Sequence, residues 1–130
     1  PQFNIGFQYF GGITHWRNSL GTFESRSPVT MDLADPRWCL AADAILKVDG
    51  QWGGGRAEAY SNIPPHTNSD GLPEGGNQVF VDGGARWVDF EDMYALHSWN
   101  PSGRMCYWYQ SSHDFDQRLE RSLRRIAATY

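Results

Sequence analysis

The chain has 130 residues, enough for one domain around a single core and too few to hold two comfortably. A formal charge of −4 denies it the positive field that broad nucleic-acid binding needs. No apolar run reaches the roughly 18 residues of a membrane-spanning helix, and no signal-peptide pattern opens at Pro1. Fourteen glycines and seven prolines argue against a helical bundle, and aromatic rings at 15% of residues must supply much of the core or of a binding surface.

In chain order, residues 3–10 are aromatic and extended, ending at Gly11-Gly12, and predict a strand or arm. Residues 13–30 are polar and rich in Gly and Ser, and predict loop with one short element. Ser27-Pro28-Val29, followed by Met31 and Leu33, predicts an edge strand, where proline is tolerated. Asp35-Pro36 turns the chain into residues 38–46, a nearly continuous apolar run that predicts one strand buried on both faces. Residues 48–56, with Trp52 before three glycines, predict a tight excursion. The glycine run is no phosphate cradle, since neither Gly-Lys-Ser/Thr nor a helix follows it.

Residues 66–74 are too polar and too rich in turn formers for a regular element. Next come Gly75-Gly76-Asn77 and two apolar runs, residues 79–81 and 86–88, flanking Asp82-Gly83. This is a strong β-hairpin signal, and the pair suits a type I′ turn with positive φ at both central residues. Residues 89–94 predict one short helical turn, followed by a loop through residues 100–103. Residues 105–110 predict an aromatic strand. The last segment predicts a helix: Asp114 as N-cap, Gln117 completing a capping box, and Phe115, Leu119, Leu123 and Ile126 on one face. Arginines fill the other face and complement the negative end of the helix dipole. The fold class is therefore α+β, a small antiparallel sheet with a C-terminal amphipathic helix.

Cys39 and Cys106 lie in apolar-aromatic segments. They form either a disulfide, worth about 4 kcal/mol for a loop of this length, or two buried thiols on different strands. Two cysteines without CxxC spacing do not suggest zinc. Asp43 interrupts an apolar strand, and a buried carboxylate there needs a partner. Joined to Asp82 and loop carbonyls it would make a calcium site; alternatively Asp82 only makes its turn, while Asp43 accepts backbone N–H bonds or a proton from His66. No Gly-x-Ser-x-Gly elbow, His-Glu-x-x-His or adjacent Cys-His pattern marks a hydrolase. Trp16, Trp52, Trp99 and Trp108 are candidates to stack on sugar rings, Trp52 being the most exposed by its glycine neighbours. Trp38 and Trp87 are assigned to the core.

The unit from His66 through Gly75-Gly76-Asn77, the Asp82-Gly83 turn and Trp87 resembles the C-terminal signature of type II secretion pseudopilin-like proteins. That family is prepilin-type and processing-associated, named for a His and an Asp-Gly pair. Fifteen residues separate His66 from Asp82, a longer spacing than the family's short form, and Gly84 stands where a second His usually follows. The resemblance implies a pilin-head-like fold and a non-catalytic role in a secretion-type pseudopilus or surface display scaffold. It also implies other pseudopilin or secretion-system subunits as partners and calcium as the cofactor to test. The full-length protein is expected at the bacterial periplasm or cell surface, tethered to the inner membrane by an N-terminal helix that this chain lacks. The alternative is an extracytoplasmic module that binds glycan or protein through His66, Trp52 and Trp99.

Overall fold

The computed structural model describes residues 6–53, 60, 62–101 and 103–129. Among them nine strands and one α-helix form: β1 (Phe7–Tyr9), β2 (His15–Asn18), β3 (Gly21–Glu24), β4 (Cys39–Asp43), β5 (Ile45–Val48), β6 (Gly75–Phe80), β7 (Ala85–Asp89), β8 (Tyr94–His97), β9 (Arg104–Trp108) and α1 (Gln117–Thr129). The start of the expected first strand, residues 3–5, and the glycines and arginine at 54–56 lie outside the described residues. The fold is α+β with antiparallel sheets. In place of one small sheet there are two, ordered β1-β4-β6-β7 and β5-β9-β8, together with a separate β2–β3 hairpin. No described helix is long and apolar enough to cross a membrane.

The three-stranded sheet is the centre of the molecule, because alternate residues on its strands enter two different cores. Leu46, Val48, Tyr94, Leu96, Cys106 and Trp108 point into the larger core, and Ile45, Ala95, Met105 and Tyr107 into the smaller. On the larger side, Trp108 stacks on Phe10 with centroids 4.2 Å apart and meets Trp16 edge-on at 5.2 Å. Trp16 and Trp108 are fully buried and so are not sugar platforms. The indole N–H of Trp16 donates to Ser27 Oγ at 3.1 Å, which satisfies its polar end.

The apolar run at residues 38–46 is not one strand. It divides after Asp43, where Ala44 N–H donates to the Gly6 carbonyl and the chain leaves the four-stranded sheet for the central one. Residues 13–30 hold the β2–β3 hairpin, which lays Trp16 into the larger core. The edge strand expected from Pro28 is absent: its carbonyl takes one bond from Gly12, and residues 31–33 form an exposed 3-10 turn. The helical turn expected at 89–94 is a 3-10 turn over Phe90–Asp92, after which β8 runs through residues expected to be loop. Its Tyr94-Ala95-Leu96 is apolar on both faces, as a strand inside two cores must be.

Helix α1 starts two residues later than its capping pattern suggested. Asp116 is the N-cap, its Oδ1 accepting from the N–H groups of Arg118 and Leu119, both at 2.9 Å. Asp114 instead closes a 3-10 turn and accepts from Gln110 Nε2 at 2.5 Å. The apolar face is as expected: Leu123 is fully buried, with Phe115, Leu119 and Ile126 packed around it. Tyr94 O–H donates to Glu120 Oε1 at 3.0 Å, and Arg124 pairs with the same carboxylate one turn on. Leu123→Ala is expected to cost about 2–5 kcal/mol of stability, read as a lower urea midpoint with an unchanged slope.

Cys39 on β4 and Cys106 on β9 are free and buried, so no disulfide closes the loop between them. Burial pushes both thiols up to about 12. At pH 8 only about one in ten thousand would be thiolate, the reactive form. Both should therefore resist iodoacetamide in the native protein and label quickly in urea; rapid native labelling of either would contradict this packing.

Candidate functional site

The outer face of the four-stranded sheet carries the residues singled out around His66. Strand β6 pairs with β4 on one side and β7 on the other, with Asn77 opposite Trp87. The loop before β6 is organised by Asn68, whose Oδ1 accepts from Asp70 N at 2.9 Å and Leu72 N at 3.0 Å. Glu74 N–H donates to the His66 carbonyl at 3.1 Å, and Phe90 N–H to that of Glu74 at 2.9 Å. Both ends of the loop are thus fixed against the hairpin.

Asp43 ties the loop to the sheet. Its Oδ2 accepts from Asn77 N at 2.7 Å and Asn77 Nδ2 at 3.0 Å, and lies 3.3 Å from His66 Nε2. Asp43 thus accepts a backbone N–H, one of the roles expected for it, with the His66 imidazole within ion-pair distance. The His66 ring meets Trp87 edge-on at 5.1 Å, and Trp87 Nε1 donates to Asp89 Oδ1 at 2.8 Å.

The two glycines make this arrangement fit. A Cβ at Gly75 would lie 2.3 Å from the Val88 carbonyl oxygen and 2.8 Å from the Trp87 ring. A Cβ at Gly76 would stand 3.0 Å from that of Asp43. Gly-Gly-Asn is therefore two absent side chains, which admit Trp87 and Asp43, followed by the amide that holds the carboxylate.

The hairpin turn differs in type from the expectation. Gly83 has φ +84°, but Asp82 is not in the positive-φ region. Gly83 N–H donates to the Phe80 carbonyl and Phe80 N–H to that of Gly84, leaving a three-residue loop with a glycine bulge instead of type I′. Asp82 Oδ1 caps this turn by accepting from Gly84 N at 2.8 Å.

Asp43 and Asp82, named together for calcium, are not brought together. Asp43 sits beside Asn77 and Asp82 lies beyond the other end of β6, on the order of 10 Å or more along the strand. No group of three or more His, Cys, Asp or Glu is placed to hold a metal among the described residues.

The tryptophans also exchange roles. Trp87, assigned to the core, is 44% exposed. Trp52, expected to be exposed, is half-buried against Phe90 and Tyr107, with Lys47 Nζ 5.2 Å from its ring. Trp38, also assigned to the core, is only partly buried and belongs to neither core cluster. Trp99 is 57% exposed, as a binding ring requires, but lies away from His66 in a cleft of about 340 Å³ shared with Phe7, Tyr9, Phe10 and His97. Asn77 and Trp87 are the site residues that sequence reasoning missed; the Gly-Gly step before Asn77 was the available signal for a close approach. The chain matches no family model, no curated protein and no solved structure.

Chemically, the cluster is a positioned imidazole and an exposed indole on a rigid sheet. Holding His66 by Nε2 leaves Nδ1 as its remaining hydrogen-bonding atom, beside apolar ring surface. Removing the carboxylate in Asp43→Ala should hand the exposed Asn77 donors to water and cost about 0.5–1.5 kcal/mol. Hydrogen exchange should show faster exchange at Asn77 and across residues 66–74, with α1 unaffected. Gly75→Ala, which places a methyl against backbone, should cost about 1–3 kcal/mol or more in thermal unfolding.

Proposed function

We propose that this chain is the head domain of a pseudopilin-like protein and that it works by contact, not catalysis. The observation that carries the reading is the β6–β7 hairpin with the His66 loop fastened across it through Asp43. In this unit His66, Asn77 and the two glycines all serve to hold one surface in shape. Such a surface suits packing against other pseudopilin or secretion-system subunits, with polymerisation left to an N-terminal apolar helix in the full-length protein. The bacterial periplasm or cell surface is the corresponding compartment.

The test uses the full-length gene product from its native cells. Its mature N-terminus should be an apolar helix produced by prepilin-type cleavage, and the protein should fractionate with the inner membrane. A crosslinker at Trp87 should join it to another copy or to a pseudopilin. Release as a free protein after a plain secretory signal would remove the assignment.

A second reading is favoured by one feature, the exposed rings of Phe7, Tyr9 and Trp99 around the cleft of about 340 Å³. Solvent-facing aromatics of this kind stack on neutral sugar rings, and glycan binding would suit an extracytoplasmic module. A glycan array in which Trp99→Ala loses a signal given by the parent protein would support it; no signal from either would discard it.

A further inference from the structure

On the opposite face of the four-stranded sheet the geometry points to a second site, which we infer binds a small hydroxylated carboxylate such as a uronic acid. It stands independently of the head-domain role. Strand alternation turns Arg86 away from the Trp87 face, towards Gln78 and Phe80. There it lines a cleft of about 390 Å³ with Arg37, Asp82, Tyr109 and Ser111.

Arg86 is built as an anion receptor. Its guanidinium lies 4.5 Å from the Phe80 ring centroid and 5.1 Å from that of Tyr109. Contact with two rings restrains the group, and a guanidinium can offer two N–H donors together to a carboxylate. Among the described residues no carboxylate pairs with it. The other guanidinium in the cleft is already neutralised, since Arg37 makes a two-point contact with Asp35 at 2.7 and 3.0 Å. Among the described residues Arg86 is thus the cleft's unpaired cation, with Asp82 the carboxylate that shares the lining.

The rest of the lining narrows the ligand further. Asp82 gives Oδ1 to the Gly84 N–H, and its Oδ2 is an acceptor that a second carboxylate would avoid and a hydroxyl would suit. Among the described residues Ser111 Oγ has contacts at 3.4 Å, to the backbone N and Nδ1 of His113, and is able to serve another hydroxyl. A cation beside an acceptor-only group and an alcohol matches a molecule carrying one carboxylate and neighbouring hydroxyls. Bare phosphate, with its higher charge and no hydroxyl donor of the sugar kind, matches poorly.

The test is amide-resolved NMR titration of the protein with galacturonate, galactose, acetate and inorganic phosphate. Galacturonate should shift Gly84, Ala85 and Ser111 and bind about tenfold more tightly than galactose or acetate. Arg86→Gln should weaken galacturonate about tenfold while leaving shifts elsewhere in the spectrum unchanged. Asp82→Asn keeps an oxygen for the Gly84 cap, so it should fold; it should weaken galacturonate and strengthen acetate. Equal binding of galactose and galacturonate, an Arg86→Gln variant that binds like the parent, or the absence of any shift at millimolar galacturonate would each overturn the site. Shifts centred on Trp99 would place sugar in the aromatic cleft instead and would overturn it too.

Discussion

A carboxylate at the end of an apolar strand is stable only where donors meet it, and at Asp43 two donors from Asn77 converge on one oxygen, with His66 Nε2 3.3 Å from it. The position is also where the chain changes sheets. Before it, β4 belongs to the four-stranded layer; after it, β5 enters the doubly covered central layer. One residue thus separates a segment with a solvated face from a segment with none. The polar side chain marks the last place where the outer face is still available.

From that junction the organisation of both faces follows. Ile45 and Leu46 turn into opposite cores, and β9 and β8 extend the same alternation. The larger core is dominated by rings, Phe10, Trp16 and Trp108 among them, because a small domain with few long aliphatics must fill volume with aromatics. Helix α1 adds Leu123 to this ring cluster and ties its polar side to Tyr94 through Glu120. The smaller core is closed by Trp52 and Phe90, which places the segment after β7 over Tyr107.

The four-stranded sheet has two chemically different faces. One presents an imidazole, an indole and a buttressed loop; the other, at its β7 edge, presents a stacked guanidinium beside an acid and a hydroxyl. The glycines of β6 serve the first face by admitting the Trp87 ring, and the glycine bulge at the turn serves the second by fixing Asp82 next to Gly84. The two clusters lie on opposite faces of one sheet, so the proposed assembly surface and the proposed ligand cleft are compatible in one domain.

Local pattern carried the hairpin through its turn residues, the face of α1 through its periodicity, and β9 through its dense run of aromatic residues. It also carried the choice at Asp43 between metal and hydrogen bonds as an open pair of options. It did not carry β8 or the β2–β3 hairpin, because a strand apolar on both sides and a short polar hairpin both lack the period-two signal. Nor did it carry the fate of individual rings: Trp87 next to Val88 and Trp52 next to glycines were misplaced because ring burial depends on what packs from distant strands. By itself the sequence determined an antiparallel α+β chain with a His loop, a Gly-Gly-Asn hairpin and a terminal helix. Only the tertiary structure decided that residues 38–46 split between two sheets, that Asp43 meets His66 and not Asp82, and which tryptophans face water. Those outcomes depend on contacts between segments tens of residues apart, which no local pattern encodes.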